Sequence, residues 1–180
     1  MRLLRDEGEL IRRCCRGDVQ ARAALVDAHQ ALVYSLARHM LGNEEEVRDV
    51  FQTVFLRLFQ HLERIDPERG VSAWLRKTTL NECFDRIKAR NRRPQPVDES
   101  SVAAEADSPQ KSTERSEVSR ALRLALDVLS PEQRATVLLH YMEGLRYAEI
   151  AEALDVSIET VRSRLKRARA ELRKRLRKYY

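Results

Sequence analysis

Apolar residues recur every three or four positions along most of this chain, which is the spacing of helices that bury one face. The clearest case is a short stripe of Ile150, Ala151 and Leu154, which predicts a helix that begins at Tyr147. A break follows at residues 155–157, where Ser157 is a good candidate for an N-cap. A second stripe then consists of Ile158, Val161, Leu165 and Ala168. This pattern predicts two helices joined by a tight turn, a helix-turn-helix.

The same spacing predicts further helices on the N-terminal side. The first helix is expected over Glu9–Arg16, and the second is a long helix capped by Asp18 and ended by Gly42. The third is expected over Glu44–Leu62, and the fourth is capped by Ser72 and extends to Arg90. The inner face of the second helix is expected to contain Ala21, Ala24, Leu25, Ala28, Leu32, Leu36 and Met40. Another helix is expected over Val118–Leu129, and one more begins at Pro131 after the N-cap Ser130. The apolar residues expected to fill that helix are Ala135, Val137, Leu138, Leu139 and Tyr141.

Residues 94–113 break the pattern, because Pro, Ser, Ala and acidic residues alternate there without apolar periodicity. Such a composition is typical of a flexible linker, and about twenty residues of it would have a root-mean-square span of about 25 Å. We therefore expect an all-α protein of two small helical domains, residues 1–93 and 114–180, joined by the linker 94–113.

Composition narrows the class of protein further. With 34% charged and 43% hydrophobic residues, the chain is expected to be globular and cytoplasmic, with no signal peptide and no membrane insertion. Cys14, Cys15 and Cys83 are the only cysteines, and four scattered histidines form no metal-ligand spacing with them. Neither a disulfide framework nor a metal site is expected. No cofactor and no catalytic residue is expected, since no nucleophile–base pair or Gly-rich phosphate loop is recognisable.

The net charge of +6 favours an anionic partner, and the charge is concentrated at the C-terminal end. Residues 157–180 contain ten basic residues against two acidic ones. On the second helix of the helix-turn-helix, the polar side consists of Glu159, Arg162, Ser163, Lys166 and Arg169. A helix with such a face fits the major groove of B-DNA, where Arg and Lys bind guanine edges and phosphates. The alternative is an ordinary bundle helix with a solvated basic face.

Two features of the first domain suggest further contacts. The helix 44–62 has an apolar arc wider than one core contact requires, interrupted by the short polar residues Asp49, Gln52 and Thr53. This suits docking on another protein, although Phe51 and Phe55 are equally explained as core residues. Trp74 follows a loop and begins a basic helix, which suits binding to single-stranded nucleic acid. The alternative for Trp74 is a structural role in the core.

In combination, these segments resemble the bacterial RNA polymerase sigma factors of the extracytoplasmic-function (ECF) type. The resemblance rests on three blocks, which are Asp49-Val50-Phe51-Gln52-Thr53-Val54-Phe55, Trp74-Leu75 with Asn81 and Asp85, and the second-domain segments Leu129–Arg134, Gly144–Ala151 and Thr160–Leu165. The chain departs from the family pattern at Arg48, Thr53, Thr78, Thr79 and Cys83. None of these departures removes a required charge or breaks a helix.

The resemblance implies a function and a set of contacts. A sigma factor binds core RNA polymerase and directs promoter recognition, melting and transcription initiation. The residues implied to bind the clamp helices of the polymerase β′ subunit are Asp49, Gln52, Thr53 and Phe55. The residues implied to bind the −10 element, beside the loop Ile65–Ser72, are Arg69, Trp74, Arg76, Lys77, Asn81, Asp85, Arg86 and Lys88. The residues implied to bind the −35 element are Tyr147, Thr160, Arg162, Ser163, Arg164, Lys166, Arg167 and Arg169.

Further partners implied by the resemblance are the β flap of the polymerase, promoter DNA and an anti-sigma factor, which could hold the chain at the membrane. Two rival hypotheses stay open from the sequence. One is a sigma-like decoy that binds an anti-sigma factor but no promoter. The other is a conventional helix-turn-helix regulator with an unrelated N-terminal sensor domain.

Overall fold

The computed structural model describes residues 2–65, 70–92 and 123–177, and every regular element in these ranges is helical. This confirms the all-α prediction. Contacts divide the chain into two compact units, with the division between Asp85 and Arg86. The predicted linker 94–113, Val118 and Leu122 lie outside the described residues. The exact domain limits therefore stay a prediction.

The first unit contains α1 (Arg2–Cys15), α2 (Val19–Leu41), α3 (Glu44–His61), a 3-10 turn (Leu62–Arg64) and the greater part of α4 (Gly70–Arg92). The last residues of α4, from Arg86 onwards, belong to the second unit. Asp18 caps α2 by accepting from the backbone N–H groups of Gln20 and Ala21, and Gly42 ends it at φ 74°. Asn43 caps α3 in the same way through Glu45 and Glu46. These caps confirm the predicted starts of α2 and α3, because short polar side chains satisfy the first free N–H groups of a helix.

Three predicted details of this unit are wrong. α1 begins at Arg2 and not at Glu9, so the first helix is longer than its apolar stripe indicated. α4 begins at Gly70, so Ser72 lies inside its first turn and is not its N-cap. On α2, Ala24 and Ala28 are exposed and Leu32 is only half-buried. The face that α2 buries consists of Ala21, Leu25, Val33, Leu36, Ala37, Met40 and Leu41.

The core of the first unit forms where α2 packs against α1 and α3. Its largest fully buried side chains are Leu25, Val33, Leu36, Met40, Val47, Leu58, Leu75 and Leu80. Polar contacts also join the elements, since the Tyr34 hydroxyl donates to the Glu44 carboxylate and Arg57 forms an ion pair with Glu82. The apolar packing supplies most of the stability, at about 1.5–3 kcal/mol for each fully buried Leu, Val or Met.

The second unit contains a helical turn at 123–126, α5 (Pro131–Tyr141), α6 (Tyr147–Leu154) and α7 (Ile158–Leu176). Ser130 and Gln133 form a capping box with Pro131 in the first turn, which confirms the predicted start of α5. Each of the three helices packs against the other two. The core between them contains Leu138, Leu139, Ile150 and Leu165, all fully buried.

Candidate nucleic-acid interface

The turn between α6 and α7 is held by its own backbone. Asp155 adopts the left-handed conformation at φ 54°, and the N–H of Val156 donates to the carbonyl of Ala151 at 2.9 Å. Ser157 caps α7 by accepting from the N–H of Thr160 at 3.1 Å, and the two hydroxyl oxygens lie 2.9 Å apart. The predicted N-cap is confirmed. The hydroxyl of Thr160, a predicted DNA contact, is therefore engaged in this cap.

One side of α7 is buried and the other is basic. Val161, Leu165 and Ala168 are at most 1% exposed, whereas Ile158, expected on the same stripe, is 41% exposed. Ile158 is the first residue of α7, where the neighbouring helices no longer cover the apolar side. The opposite side exposes Arg162, Lys166 and Arg167. The burial of one face fixes which cations the helix presents to solvent.

The polar groups on α7 differ in how they are engaged. Arg162 forms an ion pair with Glu159 at 2.5 Å, one turn before it. This pair is exposed, so it orients Arg162 without binding it strongly. Ser163 is half-buried and donates to the carbonyl of Thr160 at 2.9 Å, which turns its hydroxyl towards its own helix. The side chains of Lys166 and Arg167 are exposed and lie one turn beyond Arg162 and Ser163.

Arg164 and Arg169 lie at the two edges of the buried stripe. Arg164 is half-buried. The Nε of Arg169 donates to the hydroxyl of Tyr141 at 2.7 Å, and its guanidinium lies 5.8 Å from the centroid of the Tyr141 ring. The hydrogen bond to Tyr141, followed by one to Tyr147, raises the pKa of Arg169. Since an arginine is charged in any case, these contacts chiefly orient its guanidinium group.

Tyr141 is 57% exposed, so the prediction that it fills α5 is wrong. It is the last residue of α5, and its ring contacts His140 edge-on with centroids 4.8 Å apart. Tyr147, half-buried at the start of α6, contacts the same histidine at 5.3 Å. Together these residues form a small aromatic cluster beside Arg169, which the helical period of α5 alone did not indicate.

On α4, five of the predicted −10 residues fall on one stripe at three- and four-residue spacing. They are Trp74, Lys77, Asn81, Asp85 and Lys88, of which Trp74 is half-buried and the others are exposed. The opposite side of α4 is buried through Val71, Leu75, Thr79, Cys83 and Ile87. Because Trp74 is half-buried, its indole contributes to the packing of α4 and still exposes part of its surface to solvent.

Arg76 and Arg86 do not lie on this stripe. Both are half-buried, on the side of α4 nearer the core, and the Nε of Arg86 is inaccessible to solvent. Their charges therefore lie apart from the row formed by Trp74, Lys77 and Asn81. Arg69 lies outside the described residues, which omit positions 66–69 of the loop 65–72.

On α3, the predicted polymerase contacts separate into two sets. Asp49 and Gln52 are exposed and Thr53 is half-buried, all on one side of the helix. Phe55 is only 5% exposed and packs against Phe51, with ring centroids 4.8 Å apart. Leu56 is 63% exposed on the same side as Gln52 and Thr53, and sequence reasoning missed it. Its i+4 spacing from Gln52 is the signal that could have identified it.

No group of three His, Cys, Asp or Glu side chains in the described part of the chain has a geometry that could hold a metal ion. Burial raises the pKa of the Cys14 thiol, whereas Cys15 is exposed. Among the described helices, none has the length and apolarity that a membrane span requires.

Comparison with known proteins matches two segments of the chain to sigma-factor families. Residues 25–93 match sigma-70 region 2, and residues 119–172 match sigma-70 region 4. The ECF sigma factor SigW of Bacillus subtilis is 30% identical over 179 residues, which cover 93% of this chain and 95% of SigW. The chain belongs to the ECF sigma factors of the sigma-70 superfamily.

Two further relatives agree with this assignment. The ECF sigma factor SigE of Mycolicibacterium smegmatis is 37% identical over 158 residues, which cover 86% of this chain and 61% of SigE. The solved structure of the sigma factor RpoE of Bartonella quintana, in complex with the anti-sigma factor NepR, has a TM-score of 0.71. It covers 88% of this chain and 98% of that one at 22% identity, which supports the fold of this sigma factor.

Membership of this family confirms the resemblance found in the sequence. Sigma factors are DNA-binding transcription initiation factors that work with RNA polymerase, and they are not a family of enzymes. A conventional regulator with an unrelated sensor domain is excluded, since residues 25–93 are a sigma region 2 segment. For this ECF sigma factor, α6 and α7 lie within the region 4 match, and α3 and α4 lie within the region 2 match.

Proposed function

We propose that this sigma factor binds core RNA polymerase through α3, holds the opened −10 element against α4 and recognises the −35 element through α7. The observation that carries the proposal is the two-sided α7. Val161, Leu165 and Ala168 are buried on one side, and Arg162, Lys166 and Arg167 are exposed on the other. A helix held in this way can enter the major groove with its cations directed at base edges and phosphates.

For the −35 element, we assign base contacts to the exposed side chains near the start of α7, which are Arg162, Lys166 and Arg167. Arg164 and Arg169, at the edges of the buried stripe, are assigned to phosphates, with Tyr141 orienting Arg169. Tyr147, Thr160 and Ser163 are assigned to the same surface, although the hydroxyls of Thr160 and Ser163 contact their own helix. Their contribution is therefore expected to be smaller than that of the cations.

For the −10 element, we assign the contacts to the stripe Trp74, Lys77, Asn81, Asp85 and Lys88. Unstacked bases bind well where an aromatic side chain and cations occur together. Arg69 belongs to the same proposal. Arg76 and Arg86 are assigned indirect roles in supporting α4, because both are half-buried away from the stripe.

For polymerase, we assign the docking surface on the β′ clamp helices to Asp49, Gln52, Thr53 and the exposed Leu56. A single exposed leucine is common on protein surfaces, so the assignment of Leu56 rests on its position beside Asp49, Gln52 and Thr53 on the same side of α3. Phe55 is assigned to support this surface from the core, since it is 5% exposed. The second unit is proposed to contact the β flap, and an anti-sigma factor is proposed as regulator. The place of action is the cytoplasm, where the polymerase works.

Run-off transcription with purified core polymerase tests the overall function and separates it from the decoy hypothesis. The chain should start transcription at specific sites selected from a random promoter library. A decoy would bind an anti-sigma factor and yield no specific transcript. Arg162→Ala and Lys166→Ala should each lower discrimination at one promoter position by about 1–3 kcal/mol. Arg173→Ala, exposed further along α7, is the matched control and should leave promoter choice unchanged.

Capture of core polymerase tests the docking surface on α3. The double variant Asp49→Ala with Gln52→Ala, and separately Leu56→Glu, should lose polymerase binding while keeping affinity for a −35 duplex. Gln20→Ala, which removes an exposed polar side chain from α2, serves as the control. Retention of full polymerase affinity in both α3 variants would contradict this assignment.

A further inference from the structure

Three side chains from three helices form a hydrogen-bonded link in the first unit. The Nε2 of His29, on α2, lies 3.1 Å from Oε1 of Glu7, on α1. Its Nδ1 lies 3.4 Å from the Oγ of Ser72, on α4. The side chain of His29 is 12% exposed and that of Glu7 is 22% exposed, so solvent competes little with the link.

The direction of these hydrogen bonds follows from the groups themselves. An ionised Glu7 can only accept, so the Nε2–H of His29 donates to it. In the neutral ring Nδ1 is then the acceptor, and the Ser72 hydroxyl donates to it. A hydroxyl oxygen can also accept a hydrogen bond. The contact between Ser72 and His29 therefore persists when both ring nitrogens of His29 carry a proton. The link therefore joins α1, α2 and α4 in either charge state of the histidine.

The link ends at the start of α4. Ser72 is the third residue of that helix and precedes Trp74 by two positions. Gly70, its first residue, has φ +70°, and a Cβ placed there would lie 3.4 Å from Oε2 of Glu7. Glu7 thus lies close to the backbone where α4 begins. Polar side chains of α1 and α2 therefore hold the start of α4, in addition to the core packing that holds its apolar face.

We propose that His29 is a positioning residue for promoter opening. Through Glu7 and Ser72 it holds the first turn of α4, so that Trp74 and Lys77 are already placed to bind the unpaired −10 strand. This inference rests on the proposed function of α4. Opening the promoter costs base-stacking energy, and binding of the unpaired strand exceeds that cost by only a small margin. A displaced Trp74 or Lys77 would reduce this margin, so it matters that both are placed before the strand arrives. His29 does not touch the DNA in this proposal.

The test compares opening with the steps that precede it. Variants Ser72→Ala, His29→Ala and His29→Gln are assembled into holoenzyme on one promoter. Opening is measured as permanganate reactivity of unpaired thymines in the −10 element, beside polymerase affinity, closed-complex affinity and thermal midpoint. The matched control is His39→Ala, since His39 is also half-buried on α2 but contacts the carbonyl of Ser35 in its own helix at 2.7 Å.

We expect Ser72→Ala to lower the opening equilibrium about fivefold and His29→Ala about tenfold, with closed-complex and polymerase affinities unchanged. His29→Gln, which keeps a donor for Glu7, should recover part of the loss. The double variant, Ser72→Ala with His29→Ala, should open the promoter no worse than His29→Ala alone, because removing His29 already breaks the link. On a premelted template all variants should transcribe like the parent protein.

Two results would overturn the inference. One is unchanged opening in both Ser72→Ala and His29→Ala while the parent protein opens the promoter normally. The other is an equal loss in closed-complex formation, opening and premelted transcription, which would assign the link to general stability. If the parent protein itself opened no promoter, the proposed function would fail before this inference was reached, so the two failures are distinguishable.

Discussion

At the scale of single residues, two buried threonines differ in what their hydroxyls contact. Thr79 on α4 and Thr136 on α5 are both 0% exposed. The hydroxyl of Thr136 donates to the carbonyl of Glu132 at 2.6 Å, whereas the Oγ1 of Thr79 has no hydrogen-bond partner among the described residues. A buried polar atom without a partner loses its hydration and gains nothing in return. Thr79 is also one of the departures from the apolar family pattern.

Replacing each threonine by valine should therefore have opposite effects. Thr79→Val should raise the free energy of unfolding of the first unit by about 1 kcal/mol, since it removes an unpaired hydroxyl at constant volume. Thr136→Val should lower that of the second unit by about 1 kcal/mol. Urea unfolding followed by Trp74 fluorescence reports the first unit, and circular dichroism reports both. Destabilisation by Thr79→Val would mean that its hydroxyl has a partner after all.

The N-cap Asp18 should make stability depend on pH. Its pKa lies below the ordinary value of 3.8, first because the N–H of Ala21 donates to the carboxylate and then because Arg13 does. A depressed pKa in the folded state means that the stabilisation is present above pH 4 and is lost as the pH falls through the folded value.

Asp18→Asn should keep the cap but remove the ion pair with Arg13, which has an N–O distance of 2.8 Å. The thermal midpoint of this variant should fall less between pH 6 and pH 3 than that of the parent protein, and Asp18→Ala should be the less stable of the two variants at pH 6. This role of Asp18 would be refuted if the thermal midpoints of the parent protein and of Asp18→Asn fell by the same amount between pH 6 and pH 3.

At the scale of elements, the helix-turn-helix depends on a tight turn with one unusual residue. Among the non-glycine residues that the structure describes, Asp155 alone has a positive φ, at 54°. Its N–H donates to the carbonyl of Glu152 at 3.3 Å, and that of Val156 donates to Ala151, so the turn satisfies the last carbonyls of α6. The left-handed conformation costs an L-residue about 1 kcal/mol relative to glycine.

Asp155→Gly should therefore raise the thermal midpoint of the second unit, whereas Asp155→Val should lower it, because a β-branched side chain fits this conformation poorly. Neither change alters the exposed cations of α7. Affinity for a −35 duplex should stay the same in Asp155→Gly, measured at a temperature where both proteins are folded. A lower midpoint in Asp155→Gly would indicate that the aspartate side chain contributes more than its backbone conformation costs.

At the scale of the whole molecule, charge is distributed unevenly along the chain. The net charge is +6 overall, yet residues 157–180 alone have ten basic and two acidic residues. Nucleic-acid binding by such a segment releases counterions from the DNA, so its affinity depends steeply on salt. The docking face on α3 has few cations, and its affinity for polymerase should depend on salt much less.

If Arg162, Lys166, Arg167 and their neighbours neutralise about four phosphates, the logarithm of the duplex affinity should fall with the logarithm of salt with a slope near −3.6. Arg169→Ala should change that slope by about 0.9 towards zero at every sequence tested, since a phosphate contact does not depend on the base. Titration of a labelled −35 duplex with the full chain, between about 50 and 200 mM salt, measures both slopes. A flat response would contradict the proposed interface.

Local chemistry explains why much of this architecture was predictable. Helix starts at Asp18, Asn43, Ser130 and Ser157 follow from short side chains that bond to neighbouring N–H groups, and Gly42 ends α2 at a positive φ. Helical spacing likewise placed Arg162 and Lys166 opposite the buried Val161 and Leu165. Such interactions span only a few residues, so they are recoverable from the order of amino acids alone.

The amino-acid sequence alone determined the all-helical class, the family and the row of cations on α7. Only the tertiary structure decided which side chains remain accessible. In the folded protein Phe55 is buried, Arg76 and Arg86 are half-buried, and Tyr141 is exposed. The tertiary structure also brought Glu7, His29 and Ser72 together, although 22 and 43 positions separate them from one another in the chain. Helical period fixes the direction of a side chain relative to its own helix, but burial depends on which other helix covers it.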